Sequence, residues 1–151
     1  MRCCGVDISG TDLIIAIVDG DAGGYSYTST KLSKIKLNDD EDQASVRSFY
    51  ETVTDFMRIN HIDLVAIKKR AGKGRFAGGS VTFKIEALLQ VMKDCQVRLY
   101  APTTIAAKNK SLKFTVPKEV FAYQKDAYLT ACCALESQNT GSTASVSPPS
   151  R

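Results

Sequence analysis

Apolar and polar positions along the chain mark out a regular succession of elements. Residues 2–9 (Arg-Cys-Cys-Gly-Val-Asp-Ile-Ser) read as a strand that ends in a tight turn at Ser9-Gly10. Residues 12–19 are almost continuously apolar and predict a second strand, and Gly10 suits a hairpin between the two. Gly20 to Gly24 is another turn. Residues 25–37 alternate loosely through Tyr25, Tyr27, Leu32, Ile35 and Leu37 and predict a third, more exposed strand. The acidic run Asp39, Asp40, Glu41, Asp42 then places negative charge where a helix N-terminus favours it. Val46, Phe49, Tyr50, Val53, Phe56 and Met57 recur at helical spacing and give that helix one apolar face. Asn60-His61 closes it, with His61 expected as a partner for the negative end of the dipole.

Residues 62–68 (Ile-Asp-Leu-Val-Ala-Ile-Lys) predict a buried fourth strand, followed by a loop rich in glycine and lysine from Lys69 to Gly79. A second helix is expected over 80–94, with Ser80 as its N-cap and Val81, Ile85, Leu88, Leu89 and Met92 as its buried stripe. Residues 96–101 form a fifth strand. Pro102 to Pro117 is a basic connection with one short helix at 103–108, and a last helix spans 118–137. The remainder, 138–151, is rich in Ser, Thr, Pro and Gly and reads as a disordered tail. Three hairpin-joined strands followed by strands separated by helices predict an α/β domain over 1–137. Its mixed five-stranded sheet has the first three strands antiparallel, the fourth and fifth parallel to the first, and helices on both faces.

Composition agrees with a single globular domain: 151 residues, 44% hydrophobic and 24% charged. No apolar run approaches the roughly 20 residues of a membrane-spanning helix, and the strand-like opening does not resemble a secretory signal. Five cysteines, four of them in adjacent doublets and none in a C-x-x-C pair, form neither a disulfide framework nor a zinc signature. They read as small buried residues of a reduced, cytoplasmic protein. The overall charge of +4 is unevenly spread. Residues 1–63 carry eleven acidic against six basic side chains, a net −5, and residues 64–151 carry fourteen basic against five acidic, a net +9. The second half is therefore suited to a polyanion.

Four stretches and their order point further: the opening Gly5-Val-Asp7-Ile-Ser-Gly10, the strand Leu-Val-Ala-Ile-Lys68, Phe83-Lys-Ile-Glu-Ala-Leu, and Asp126-Ala-Tyr-Leu-Thr-Ala. Together they resemble the RNase H-like superfamily, and within it the RuvC-type Holliday-junction resolvases and a related uncharacterised bacterial family. The resemblance implies phosphodiester hydrolysis by two divalent ions, Mg²⁺ or Mn²⁺, about 4 Å apart. It also implies hard carboxylate ligands on the first strand, the fourth strand and the last helix. Asp7 matches the first-strand acid and Asp126 an acid of the last helix. The fourth-strand position is Lys68, whose ammonium group repels a metal. Glu119 lies a turn or more before Asp126 and could reach only with a different helix start, and Glu86 on the second helix is disfavoured as a substitute because the family draws its acids from strand ends. The expectation is that Lys68 stands between Asp7 and Asp126 where a cation would otherwise be, giving an altered, non-catalytic site.

Lys68 to Arg75 holds five positive charges in eight residues with two glycines. Lys69, Arg70, Lys73 and Arg75 are the expected phosphate contacts, with Lys108, Lys110 and Lys113 as a second cluster on the same rim. DNA or RNA is the implied partner, of a monomer or a homodimer. Two other readings compete: an active metal-dependent nuclease with rearranged acids, and a protein-interaction module that keeps only the fold. Asp7-Ile-Ser-Gly-Thr-Asp also resembles the phosphate hairpin of actin-like kinases, which need two such domains. Tyr123 and Tyr128 are expected to pack in the helix or to stack on a base.

Overall fold

The chain orders as β1 (Arg2–Ser9), β2 (Asp12–Asp21), β3 (Gly24–Thr28), β4 (Lys34–Lys36), α1 (Gln43–Ile59), β5 (Leu64–Lys68), α2 (Ser80–Gln90), β6 (Gln96–Tyr100), α3 (Pro102–Leu112) and α4 (Lys125–Ala144), with a 3₁₀ turn at Ala122–Gln124 before α4. The computed structural model describes residues 1–21, 23–70 and 79–144. The sheet runs β3-β2-β1-β5-β6, and β4 also pairs with β2. β1 and β2 form the expected antiparallel hairpin, turned at Gly10 with φ of +61°. β5 lies parallel to β1 with Val6 opposite Ile67, and β6 parallel to β5 with Lys68 opposite Tyr100. The mixed sheet and its strand directions are those the sequence predicts.

Alternation along β1 sorts the two layers. Cys4, Val6 and Ile8 enter a core with Phe49 and Val53 of α1 and Ile85 and Leu89 of α2. Cys3 enters the opposite core with Ile105 of α3 and Ala127, Ala131 and Leu135 of α4. Gly5 belongs to this second face. A Cβ there would lie 1.8 Å from the Ala127 carbonyl oxygen, so α4 rests directly on the β1 backbone. The five cysteines are free thiols. Burial raises the pKa of each, that of Cys132 to about 12. They fill space as small apolar groups.

Four expected boundaries are corrected. Residues 25–37 form two strands, because Ser29-Thr30-Lys31 supplies no apolar residue to continue the alternation. β2 keeps both as neighbours, and in the gap Ile15 N–H donates to the Ser33 carbonyl at 3.0 Å. α2 begins at Ser80 itself, with Gly79 at the cap, and ends at Gln90 rather than 94. α3 is a full helix, 102–112 rather than 103–108, with Pro102 at its start where a missing N–H costs nothing. α4 starts at 125, not 118, and continues to 144, so residues 138–144 are helical where a disordered tail is expected. Extending a helix already nucleated on the core costs little per residue, even through Ser and Thr.

α1 matches its expected limits. Asp42 caps it by accepting the Ser45 N–H at 3.0 Å. At its end His61 takes φ of +55°, and the His61 and Ile62 N–H groups donate to the Arg58 and Met57 carbonyls. His61 therefore closes the helix by its backbone conformation, the arrangement usually made by glycine.

At the edge remote from the β1 C-terminus, Arg2 grips Asp19 with two donors, Nε at 2.8 Å and Nη2 at 3.1 Å, while Thr28 donates to the same carboxylate at 3.0 Å. The Arg2 hydrogen bond is the main cause holding the Asp19 pKa below its ordinary value.

Two outcomes follow from this packing. Gly5→Ala should destabilise the protein by about 3 kcal/mol or more in denaturant titrations, because backbone rather than a flexible side chain opposes the new methyl. Asp19→Asn should lower stability at neutral pH. The wild-type advantage is present above the unfolded carboxylate pKa and disappears as pH falls through the depressed folded value, which thermal unfolding across acid pH would show.

Candidate functional site

β1 and β5 are adjacent and parallel, so residues at their C-terminal ends meet at one edge of the sheet. Asp7 is near the end of β1 and Lys68 is the last residue of β5. Asp126 is the second residue of α4, where the positive end of the helix dipole favours a carboxylate. The contact at Gly5 and Ala127 presses that first turn against β1. The three residues singled out in the sequence are thereby brought together.

Their pairing is more particular than expected. Lys68 Nζ donates to Asp126 Oδ2 at 2.8 Å. Asp7, which also feels Lys68, has a further cationic neighbour: Arg70 Nη1 lies 3.8 Å from its Oδ1. The site therefore holds two carboxylates and two cations: Lys68 is bonded to Asp126 and acts on Asp7 more strongly than any other charge, and Arg70 adds a second cation beside Asp7. Arg70, expected on an open loop, is turned inward. Its Nε is buried with no hydrogen-bond partner among the described residues.

Asp7 is the buried member, its side chain 14% exposed, against 51% for Asp126. Loss of hydration raises the Asp7 pKa above its ordinary value. Lys68 opposes the rise, Asp126 adds to it and Arg70 opposes it, in that order of size. The exposure of Asp126 also revises the expected energetics. An ion pair with one half-exposed partner contributes about 1 kcal/mol or less, so the Lys68–Asp126 pair is exchangeable, not a lock.

These residues do not fit a pair of hard divalent ions. Two carboxylates are too few oxygen ligands for them, and each already faces a side-chain cation. Among the described residues no three His, Cys, Asp or Glu side chains converge on a metal-sized site, so neither Glu86 nor Glu119 joins Asp7 and Asp126. Glu86 is instead buried on α2, a helix of the other layer, and its Oε2 has no hydrogen-bond partner among the described residues.

The expected phosphate contacts separate. Lys69 is exposed beside the site, its N–H donating to the Tyr100 carbonyl at 2.9 Å. Lys73 and Arg75 lie outside the described residues. Lys108 and Lys113 do not share the rim, and Lys110 lies between them on α3. α3 runs back along α4, so that Lys108 is near Cys133 and Lys113 lines a cavity with Glu136 and Tyr25. Those α4 residues lie about 10 and 15 Å along the helix from Asp126. The reason is topological: α3 leaves β6 at the site end and carries its lysines away from it.

One residue that positions the site is missed by sequence reasoning. Gln124 is 1% exposed. It accepts the Phe121 N–H at 3.0 Å and donates to the Ile15 carbonyl at 2.9 Å, in the gap between β3 and β4. It thus fastens the 3₁₀ turn before Asp126 to β2. A buried amide has no sequence signature apart from the break between the two strands. Tyr128 is buried, its hydroxyl donating to the Thr115 carbonyl at 2.9 Å, which settles it as a packing residue.

A family described as "Protein of unknown function (DUF3010)" matches residues 1–134, and the chain belongs to that family. No curated protein matches it. Among solved structures it is similar to RuvC of Thermus thermophilus, at 13% identity over 93% of this chain and 97% of the other, with a TM-score of 0.70. It is also similar to the fowlpox virus resolvase in complex with Holliday junction DNA, at 15% identity over 91% and 99% of the two chains, TM-score 0.57. A third is the yeast mitochondrial Holliday junction resolvase, at 10% identity over 93% and 82%, TM-score 0.53. The fold is thus RNase H-like, of the kind seen in Holliday junction resolvases, with no described helix long and apolar enough to cross a membrane.

The cluster makes a specific electrostatic prediction. Lys68→Met removes the largest influence that lowers the Asp7 pKa. The carboxyl ¹³C titration of Asp7 should move to higher pH, while global stability changes by only about 1 kcal/mol or less. An unmoved Asp7 titration would show that Lys68 is not coupled to it.

Proposed function

We propose that the protein binds nucleic acid at this sheet edge and does not hydrolyse it, two ion pairs having replaced the metal centre that the fold's nucleases would use. The observation that carries this reading is Lys68 Nζ at 2.8 Å from Asp126 Oδ2, at the strand position where a ligand acid is needed. An ammonium ion there neutralises the carboxylates without supplying a polarised water or a vacant coordination position.

Binding is supported by chemistry at the same place. Lys68, Lys69 and Arg70 follow one another at the end of β5, and the second part of the chain carries the positive excess. A phosphate approaching Lys68 competes with a half-exposed Asp126, and such an exchange of partners costs little. The similar fowlpox virus resolvase is seen with Holliday junction DNA, which favours a nucleic-acid ligand over a protein one. Divalent ions are not required, because the cations that meet the phosphate belong to the chain.

A fluorescence panel of single-stranded, duplex, branched and hybrid nucleic acids, with and without Mg²⁺ or Mn²⁺, tests both halves. Binding is expected to persist in chelator and to weaken steeply with salt, with no cleavage in either metal. Replacing Lys69, Lys73 and Arg75 together by Ala should lower the slope of log affinity against log salt by roughly 2 to 3. Cleavage by the wild type in Mn²⁺ would sink the non-catalytic reading. Absence of binding to every probe would favour a protein-interaction role.

A further inference from the structure

The segment just before Asp126 displays two aromatic rings that the core does not use. Phe121 is 59% exposed and Tyr123 39% exposed. Their planes lie 10° apart with centroids at 5.6 Å, an offset stack. Single exposed apolar residues are ordinary on protein surfaces. A stacked pair held rigidly in water is not. Tyr123 is fixed by a hydrogen bond between its hydroxyl and Ser33 Oγ, and by Lys34 Nζ, 4.2 Å from its ring centroid. Phe121 is fixed at its backbone by buried Gln124. The Tyr123 ring is therefore preorganised, and Phe121 stacks on it from a backbone held in place.

Their place relative to the site follows from the register. Lys34 is opposite Ile14, and Ile14 is opposite Asp7. Lys34, Ile14 and Asp7 thus form a row across three adjacent strands, with Ile14 in the core beneath α4. Two strand spacings separate Lys34 from Asp7 along the sheet, about 10 Å. Lys68 continues the row on the other side of β1. The aromatic pair lies at one end of this row and Lys68 and Arg70 at the other. Exposed Lys118, Glu119 and Lys125 flank the rings in sequence, so the surround is charged, not the wider apolar patch of a protein-docking surface.

We propose that Phe121 and Tyr123 form a stacking platform for an unpaired nucleobase, and hence that the preferred ligand presents single-stranded or unstacked nucleotides at this edge. This rests on the nucleic-acid reading above and narrows its substrate class. Every base has a π face, so stacking on the free face of Phe121 selects unpaired bases without selecting sequence. Lys34 strengthens the stack through the Tyr123 ring and adds positive charge beside the backbone path. A duplex whose bases are already stacked internally gains nothing from the platform.

The test uses the full chain and two variants. Phe121→Ala should weaken binding of a short oligothymidylate by roughly 5- to 100-fold, while a blunt duplex of equal length changes less than about twofold. Phe121→Trp should keep wild-type affinity and place the chain's only tryptophan at the platform. Its fluorescence should be quenched by oligothymidylate and not by the duplex. Both variants should unfold with the wild type, because Phe121 is mostly in solvent. Equal losses on single strand and duplex, no loss on either, or an unquenched tryptophan with the strand bound would each overturn the platform and leave the nucleic-acid reading standing. No binding by the wild type to any probe would remove both.

Discussion

The contact on which the site depends is the seating of α4 directly on the β1 backbone. Gly5 offers no side chain, so the Ala127 carbonyl can approach to a distance that any Cβ would forbid. Small residues continue the contact along α4 at Ala131, and Leu135 closes against Gly20. This approach fixes the height of the first turn of α4 over the sheet. Asp126 is held near Asp7 and Lys68 by that height, not by strong attraction among the charges themselves. The charges then arrange within a frame set by packing, which is why an ion pair of modest strength can still be well placed.

Within that frame each carboxylate of the site faces a side-chain cation. Strand ends and helix N-terminus still converge as the RNase H-like fold dictates, but the side chains at the convergence balance one another. Two anions faced by two cations create no strong field for a further cation. They do present amines and a guanidinium whose existing partners are partly solvated on one side. Asp126 is the solvated partner of the two, and Asp7 is the buried countercharge beside the inward-turned Arg70.

The platform and the charge cluster are linked through the backbone. Gln124 reaches into the break between β3 and β4, where the Ile15 carbonyl has lost a strand neighbour. One buried amide thereby satisfies the sheet, shapes the turn that displays Phe121 and Tyr123, and sets the start of α4 just before Asp126. The polar interruption Ser29-Thr30-Lys31 thus lies in the gap that Gln124 fills. A continuous third strand would occupy the place that Gln124 takes.

What the sequence determined was the order and direction of the strands, because period-two apolar runs joined by short turns or by helices leave few topologies. The resemblance of its motifs to the RNase H-like superfamily also placed Asp7, Lys68 and Asp126 in one neighbourhood, and the parallel pairing of β1 and β5 aligns the ends that carry the first two. Only the tertiary structure decided that Arg70 faces Asp7, that Lys68 chooses Asp126, that the α3 lysines lead away from the site, and that α4 begins at Lys125. Each of these depends on where a side chain or helix axis points in space, which local periodicity does not encode. A pattern of apolar residues records which face is buried; the partner each charge finds there is set by distances between elements far apart in the chain.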